Sequence, residues 1–319
     1  MRIFYNFAVL IAVVLAFFSC DNEDMSSVEI EKDARMMPII PDIQYYTNNI
    51  DRFHYLQSIL KFCNEEANVD ICIQTGDVTN NNHPDQWKNA YEQFFSRVNK
   101  EIPMVYCLGN HDYGANGGSG TRASEIPEIM RPESDIQMEG SRYDNYVRFV
   151  QLGGKQHAIL VLEFAPRNEV LEWASQILQE HHDTPFIILT HAFLNNHGKL
   201  FDYRDSNCDN EYSQKSYSMG GDYLNDSREI FEKIVYANTN AKMVICGHCL
   251  HKDYITAEYV LNSIGKEIPC IMVNYQHGAD GGSGYIGVLA YKENNFTLYS
   301  YSTTEMRYKR AYTSFTIDY

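Results

Sequence analysis

From residue 36 onward, short β-branched apolar runs alternate with longer stretches whose apolar positions recur at helical spacing, and this alternation predicts an α/β layered domain. The expected strands are Met37–Ile40, Val69–Gln74, Pro103–Leu108, His157–Glu163, Pro185–Leu189 and Lys242–Cys246, followed by Ile271–Asn274, Tyr285–Tyr291 and Phe296–Tyr301. Between the earlier ones lie amphipathic faces. Phe53, Leu56, Ile59, Leu60 and Cys63 make one, and Trp87, Ala90, Tyr91, Phe94, Phe95 and Val98 a second. Leu171, Ala174, Ile177 and Leu178, then Ile230, Phe231, Ile234 and Val235, supply two more. These are core-facing stripes and carry no chemistry of their own.

The last three strands have no helix between them, and Gly-rich and Asn-containing turns separate them, so they are expected to form a second sheet packed on the first. No internal repeat and no linker of distinctive composition divides the body, so residues 36–319 read as one domain. The polar, Tyr-rich segment from Asn195 to Asp226 is too long for an ordinary connection, and such loops are often functional.

The N-terminus has a different pattern. Arg2 precedes an apolar run from Phe7 to Phe18, which is too short for a comfortable membrane span and reads as an export signal. It ends at Phe17-Phe18-Ser19-Cys20, which resembles a bacterial lipobox in which Cys20 is lipidated; plain secretory cleavage nearby is the alternative. Residues 21–35 are polar and largely acidic and suit a flexible tether. The expectation is an exported outer-membrane lipoprotein, periplasmic or surface-facing, that meets the membrane through its lipid anchor only.

Composition sets further bounds. Among 319 residues, 44% are hydrophobic and 13% aromatic, which marks a globular chain. The formal net charge of -16 argues against bulk nucleic-acid binding and is compatible with a cation-dependent site. Of eight cysteines, losing Cys20 to lipidation leaves an odd number, so they cannot all pair internally. Cys72, Cys107, Cys246 and Cys270 sit inside apolar runs and read as core filling.

Several of the expected strands end in a residue that binds metals or handles protons. These are Asp42 and Gln44, Asp77, then Asn110, His111 and Asp112, then His191, then His248. In α/β sheets ligands bind at the carboxyl ends of strands, so these side chains could converge on one crevice. Singly, each has an ordinary explanation as a turn former, helix cap or structural histidine.

In this order the residues resemble the calcineurin-like metallophosphoesterases, whose pattern is Asp-x-His, Gly-Asp, Gly-Asn-His-Asp/Glu, His and Gly-His-x-His. Here it reads Asp42-Ile43-Gln44, Gly76-Asp77, Gly109-Asn110-His111-Asp112, His191 and Gly247-His248. The Asp-x-Gln variant, with Asn274-Tyr275-Gln276 and the Gly281-Gly282-Ser283-Gly284 turn near the end, looks like a secreted bacterial subgroup. The Gly run lacks the Gly-Lys-Ser/Thr ending of a nucleotide loop and reads as a turn.

The resemblance implies a four-layer α/β/β/α sandwich of two mixed sheets and two divalent metal ions, Mn, Fe, Zn or similar. The first would be held by Asp42 and the bridging Asp77, with Gln44 as a weak amide ligand. The second would be held by Asp77, Asn110, His191 and His248. Gln44 and Leu250 both replace histidines of the first site, with His251 one position late, so one metal is expected to be held more weakly. His251 and Gln276 are possible further contributors. The implied reaction is in-line attack of a metal-bound hydroxide on a phosphomonoester or phosphodiester, small-molecule or glycan. His111 would protonate the leaving oxygen, and Asp112 would orient or charge-stabilise that imidazole. Loops 113–145 and 195–226 would set selectivity.

Two other readings stand beside this one. Cys246-Gly247-His248-Cys249 has the spacing of a thiol-disulfide oxidoreductase, although it ends a strand late in the body instead of opening a helix in a thioredoxin-like unit. A depleted first metal site could also leave a metal- or glycan-binding surface lipoprotein without turnover.

Overall fold

The computed structural model describes residues 30–138, 140 and 143–317, so the signal segment and Cys20 lie outside the described residues. Two sheets are stacked face to face. The first has six strands in the order β13-β12-β11-β1-β2-β3, and the second seven in the order β4-β5-β6-β7-β8-β10-β9. Their ranges are β1 Arg35–Ile40, β2 Cys72–Gln74, β3 Met104–Tyr106, β4 Ile136–Gln137, β5 Tyr146–Leu152, β6 Lys155–Val161 and β7 Phe186–Leu189, then β8 Ala241–Cys246, β9 Ile255–Leu261, β10 Glu267–Val273, β11 Tyr285–Lys292, β12 Asn295–Ser302 and β13 Arg307–Thr316.

Side chains alternate across a strand, so each central strand feeds two cores. Met37 and Ile39 of β1, Ile73 of β2, Met243 and Ile245 of β8, and Ile271 and Val273 of β10 fill the space between the sheets. Their neighbours point outward. Met36, Ile40 and Cys72 face the helices that follow the short α1 (Gln44–Thr47), namely α2 (Phe53–Glu65) and α3 (Pro84–Gln93). Val244, Cys246, Cys270 and Met272 meet α4 (Asn168–Glu180) and α5 (Ser227–Ile230), which continues as a π-helical turn over Phe231–Tyr236. The four helical stripes read from the sequence are these buried faces. Each fully buried Leu, Ile or Val contributes roughly 1.5–3 kcal/mol, so three contiguous cores hold the α/β/β/α layers in register.

Three differences from the sequence reading stand out. The C-terminal strands do not form a sheet of their own: β10 joins β8 in parallel, whereas β11 pairs antiparallel with β1 and carries β12 and β13 with it. Strands β4, β5, β9 and β13 were not foreseen, because they are short or half-exposed runs such as Arg307–Thr316 that interleave charged and apolar residues without a continuous apolar signal. Residues before 36 also pack on this body: Arg35 belongs to β1, Ala34 is buried and Ile30 packs on the same core. Among the described residues, no helix is long and apolar enough to cross a membrane.

The topology places the chemistry. Strands β1, β2 and β3 run parallel, as do β6, β7, β8 and β10 in the facing sheet, so their carboxyl ends open into one crevice.

Candidate metal centre

At that end the ligating atoms of Asp77, His191 and His248 all lie within 4.8 Å of one another, and all three side chains are buried. His191 Nε2 is 3.4 Å from Asp77 Oδ1, 3.2 Å from Asn110 Oδ1 and 3.2 Å from His248 Nδ1. Asp42 adjoins this group: its Oδ1 accepts the His248 backbone N–H at 3.4 Å, and its Oδ2 accepts the Asn274 side-chain N–H at 2.9 Å.

The backbone is shaped to let these groups meet. Asp77 and His248 both adopt left-handed conformations, φ 51° and 69°, uncommon for residues with a Cβ and a frequent mark of functional turns. Gly109 and Gly247 permit close approach: a Cβ on Gly109 would lie 2.2 Å from Asp77 Oδ1, and one on Gly247 would lie 2.6 Å from Asp42 Oδ1. Neither position can carry a larger residue without displacing a candidate ligand.

Each imidazole is fixed by a hydrogen bond from its far nitrogen. His191 Nδ1–H donates to Thr75 O at 2.7 Å, and His248 Nε2–H donates to Tyr212 O at 2.9 Å. In their neutral form the rings would turn bare nitrogens toward each other and toward the oxygens of Asp77 and Asn110. Such a ring of acceptors calls for a cation at its centre, and backbone carbonyls that fix the tautomer are the usual support of a metal-binding histidine. Gln44 Oε1 adds a buried carbonyl oxygen with no hydrogen-bond partner among the described residues. This donor set of carboxylate, amide oxygen and imidazole fits a borderline divalent metal.

The electrostatics show the same demand for positive charge. Burial disfavours ionisation of Asp77, but the imidazoles of His191 and His111 outweigh it and hold the carboxyl well below the usual range. Burial likewise works against a charged His191, yet Asp77 and Asp42 lift it to about 9. His248 is pushed down to about 3 by burial and by His191. Burial raises Asp42 to about 8, with His191 opposing and Asp77 adding to the shift.

The structure brings together Asp42, Asp77, Asn110, His191 and His248. Gln44 and Gln276 meet each other, Gln44 Nε2 donating to Gln276 Oε1 at 2.6 Å. His251 is engaged elsewhere: its Nδ1 accepts the Asp253 N–H at 3.3 Å in the turn leading to β9. His111 is half-buried beside Asp77, whose Oδ1 accepts the His111 backbone N–H at 2.9 Å, and its ring Nδ1 lies 2.9 Å from Asn80 O.

Asp112 has different partners from those expected. Its Oδ2 accepts the N–H groups of Val78 (3.1 Å) and Gly109 (2.9 Å), and its Oδ1 accepts the Thr79 N–H and hydroxyl at 2.8 and 2.9 Å. With both oxygens committed, it splices the Asp77 loop to the Asn110–His111 loop, and the Asn80 carbonyl holds the imidazole instead.

Sequence reasoning did not foresee Asn274 as a site residue, or the carbonyls of Thr75, Asn80 and Tyr212. Asn274 Nδ2 also donates to His248 O at 2.9 Å and so ties Asp42 to the His248 turn. Its place directly after a buried strand was the available signal; the carbonyls left none, because any residue type supplies one. Phe164 closes the site on one side, its ring 5.9 Å from His191 and 5.6 Å from His248, and Tyr217 stands 6.0 Å from His248. Cys246 and Cys249 are buried and unpaired, and burial raises the Cys246 thiol to about 12 and Cys249 well above its ordinary value. Redox-active pairs need an accessible thiolate of lowered pKa, so the geometry opposes the oxidoreductase reading.

A two-sheet α/β sandwich with carboxylate, amide and imidazole groups gathered at its strand ends defines a metal-binding hydrolase architecture. The chain belongs to the calcineurin-like phosphoesterase family, whose model matches residues 39–251. It is 24% identical over 271 residues to the uncharacterized protein YvnB of Bacillus subtilis, covering 83% of this chain but only 19% of that relative's length. Among solved structures, the fold is similar to the purple acid phosphatase PPD1 from yellow lupin seeds (TM-score 0.55, 14% identity, 91% of this chain and 55% of that one). A dimetal phosphatase from Danio rerio aligns with a TM-score of 0.49 and 13% identity, over 89% of this chain and 99% of that one.

Proposed function

We propose that this protein is a metal-dependent phosphoesterase that hydrolyses phosphomonoesters or phosphodiesters. The observation that carries the reading is the buried meeting of Asp77, His191, His248 and Asn110 with His111 beside them. Asp77, Asn110, His191 and His248 would hold one divalent metal, and Asp42, Asp77 and the Gln44 carbonyl oxygen a second, weaker one. When bound, such ions activate water and neutralise the phosphoryl oxygens. His111, with Nδ1 committed to Asn80, has Nε2 left to protonate the leaving oxygen. Phe164 and Tyr217 limit water around the histidines, and loops 113–145 and 195–226 would choose the substrate. Chelator-treated protein should lose hydrolysis of an aryl phosphate mono- or diester and regain it with Mn²⁺; failure with every divalent metal would count against the reading.

The weaker site is testable separately. Gln44→His is expected to tighten the second of two Mn²⁺ binding events in calorimetry by about tenfold or more, the scale on which even outer-shell partners act. Two equal sites in the unmodified protein, or a single event in both proteins, would contradict the asymmetry. A second reading, metal or glycan binding without turnover, gains support from the Gln44–Gln276 pairing, which ties up the amide that replaces a histidine. The complete donor set on the other side weighs against it.

The N-terminal pattern supports export and anchoring through Cys20. Palmitate labelling of the protein in a bacterial host should be lost in Cys20→Ala, and labelling that persists would overturn the anchor.

A further inference from the structure

The end of β10 brings two side chains to the metal centre from outside the segment that matches the family, which stops at residue 251. The parallel register sets them there. Ile271 lies beside Ile245 and Met272 beside Cys246, so two residues further on Asn274 comes level with His248. Asp42 follows β1 in the facing sheet, 232 residues away in sequence, and Asn274 reaches across to it.

Asn274 is buried, and its amide commits both N–H groups, one to Asp42 Oδ2 and one to His248 O, each at 2.9 Å. Its Oδ1 accepts the Gln276 backbone N–H at 2.9 Å, and its own backbone N–H donates to Tyr254 O at 2.8 Å. The two candidate ligands depend on it unequally. The His248 ring is also held by Tyr212 O at 2.9 Å, and the preceding Gly247 N–H donates to His191 O at 2.8 Å. Asp42 has less support: apart from Asn274, its carboxylate has among the described residues only the His248 N–H, at a long 3.4 Å. A buried carboxylate keeps one orientation through such donors, so removing the Asn274 amide would release Asp42 first.

Gln276 repeats the arrangement two residues further along. Its Oε1, the atom a metal would need, accepts the Gln44 Nε2–H at 2.6 Å, and Gln44 Oε1 is left as the buried oxygen without a partner among the described residues. Gln276 therefore acts on Gln44 instead of serving as a ligand itself. Both of these contacts fall on the position where Gln44 and Leu250 stand in place of histidines.

We propose that Asn274 and Gln276 are the positioning residues of the weaker metal, Asn274 aiming Asp42 and Gln276 aiming Gln44. The proposal rests on the metal-dependent phosphoesterase reading above. Its test is Mn²⁺ calorimetry on the full chain, unmodified and as Asn274→Ala, Asn274→Ser and Gln276→Ala. The two alanine variants should each loosen the weaker binding event by about ten- to a hundredfold, the scale on which partners of metal ligands act, and leave the tighter event within about threefold. Asn274→Ser, which keeps a hydroxyl donor, should fall between Asn274→Ala and the unmodified protein. Excess Mn²⁺ should restore hydrolysis of an aryl phosphate ester in all three, because the defect is one of occupancy and a damaged fold would not respond. Gln276 is 9% exposed against 0% for Asn274, so Gln276→Ala carries the test through Gln44 where an Asn274 variant fails to fold. Equal loosening of both events, or lost activity that no Mn²⁺ concentration reverses, makes these residues supports of the fold and overturns the proposal. A weaker event unchanged in every variant, or a single event in the unmodified protein, overturns it as well. Selective loosening in a protein that hydrolyses no ester sinks the phosphoesterase reading and keeps the positioning role; hydrolysis with metal binding untouched by the variants does the reverse.

Discussion

Asp77→Asn is expected to lower metal-dependent kcat/KM for phosphate-ester hydrolysis by about 10³-fold or more, because metal ions supply several kcal/mol of charge stabilisation and about 1.4 kcal/mol is a factor of ten. Asp77 is the carboxylate proposed to serve both metals. It lies 3.4 Å from His191 Nε2 and is only 1% exposed. The amide keeps an oxygen that can accept the His111 N–H, now 2.9 Å from Oδ1, so the loop should hold its course while the site loses its negative charge. Bound metal per chain, measured by atomic emission alongside the kinetics, should fall with activity. Full activity in a folded Asp77→Asn variant would remove this residue from the chemistry.

The second large effect concerns His111. Positioned general acids contribute about 10²–10⁴-fold, and the size should depend on what must be protonated. His111→Ala should therefore slow hydrolysis of an alkyl phosphate ester by about that factor and slow a nitrophenyl ester far less, since its leaving oxygen needs little help. The structure supports this assignment through the ring's single described tie, Nδ1 to Asn80 O, which leaves Nε2 for the substrate. Equal losses for both leaving groups, accompanied by loss of bound metal, would instead make His111 a support for Asp77.

These expectations depend on how far residues speak for themselves. The central strands were legible because both of their faces are buried, as in Phe186–Leu189 and Ala241–Cys246, and give unbroken apolar runs. The edge strand Arg307–Thr316 was not, since its burial comes from neighbours the pattern does not name. Hydrophobic alternation gives a strand its faces but not its partner, which is why the long-range pairing of β11 with β1 was missed.

The site divides in the same way. Asp77, Asn110, His191 and His248 follow buried strands, and parallel topology carries them to one crevice. Asp112 looked like an orienter of His111 because it is adjacent in sequence, yet the tight turn aims its carboxylate back at Val78, Thr79 and Gly109. The Tyr212 carbonyl that fixes His248 comes from a loop 36 residues away, beyond the reach of any local pattern. His251 was one position late in the sequence, and the turn it enters leads into β9 instead of the metal centre.

The most direct test of the central claim follows metal occupancy and turnover in the same sample. The purified protein is stripped with a chelator and titrated with Mn²⁺ while bound metal per chain and hydrolysis of an aryl phosphate mono- and diester are read together. Turnover that climbs with occupancy, and vanishes again on chelation, is the predicted result. A protein that fills its metal sites and hydrolyses neither ester would contradict the account and leave a metal-binding protein in its place.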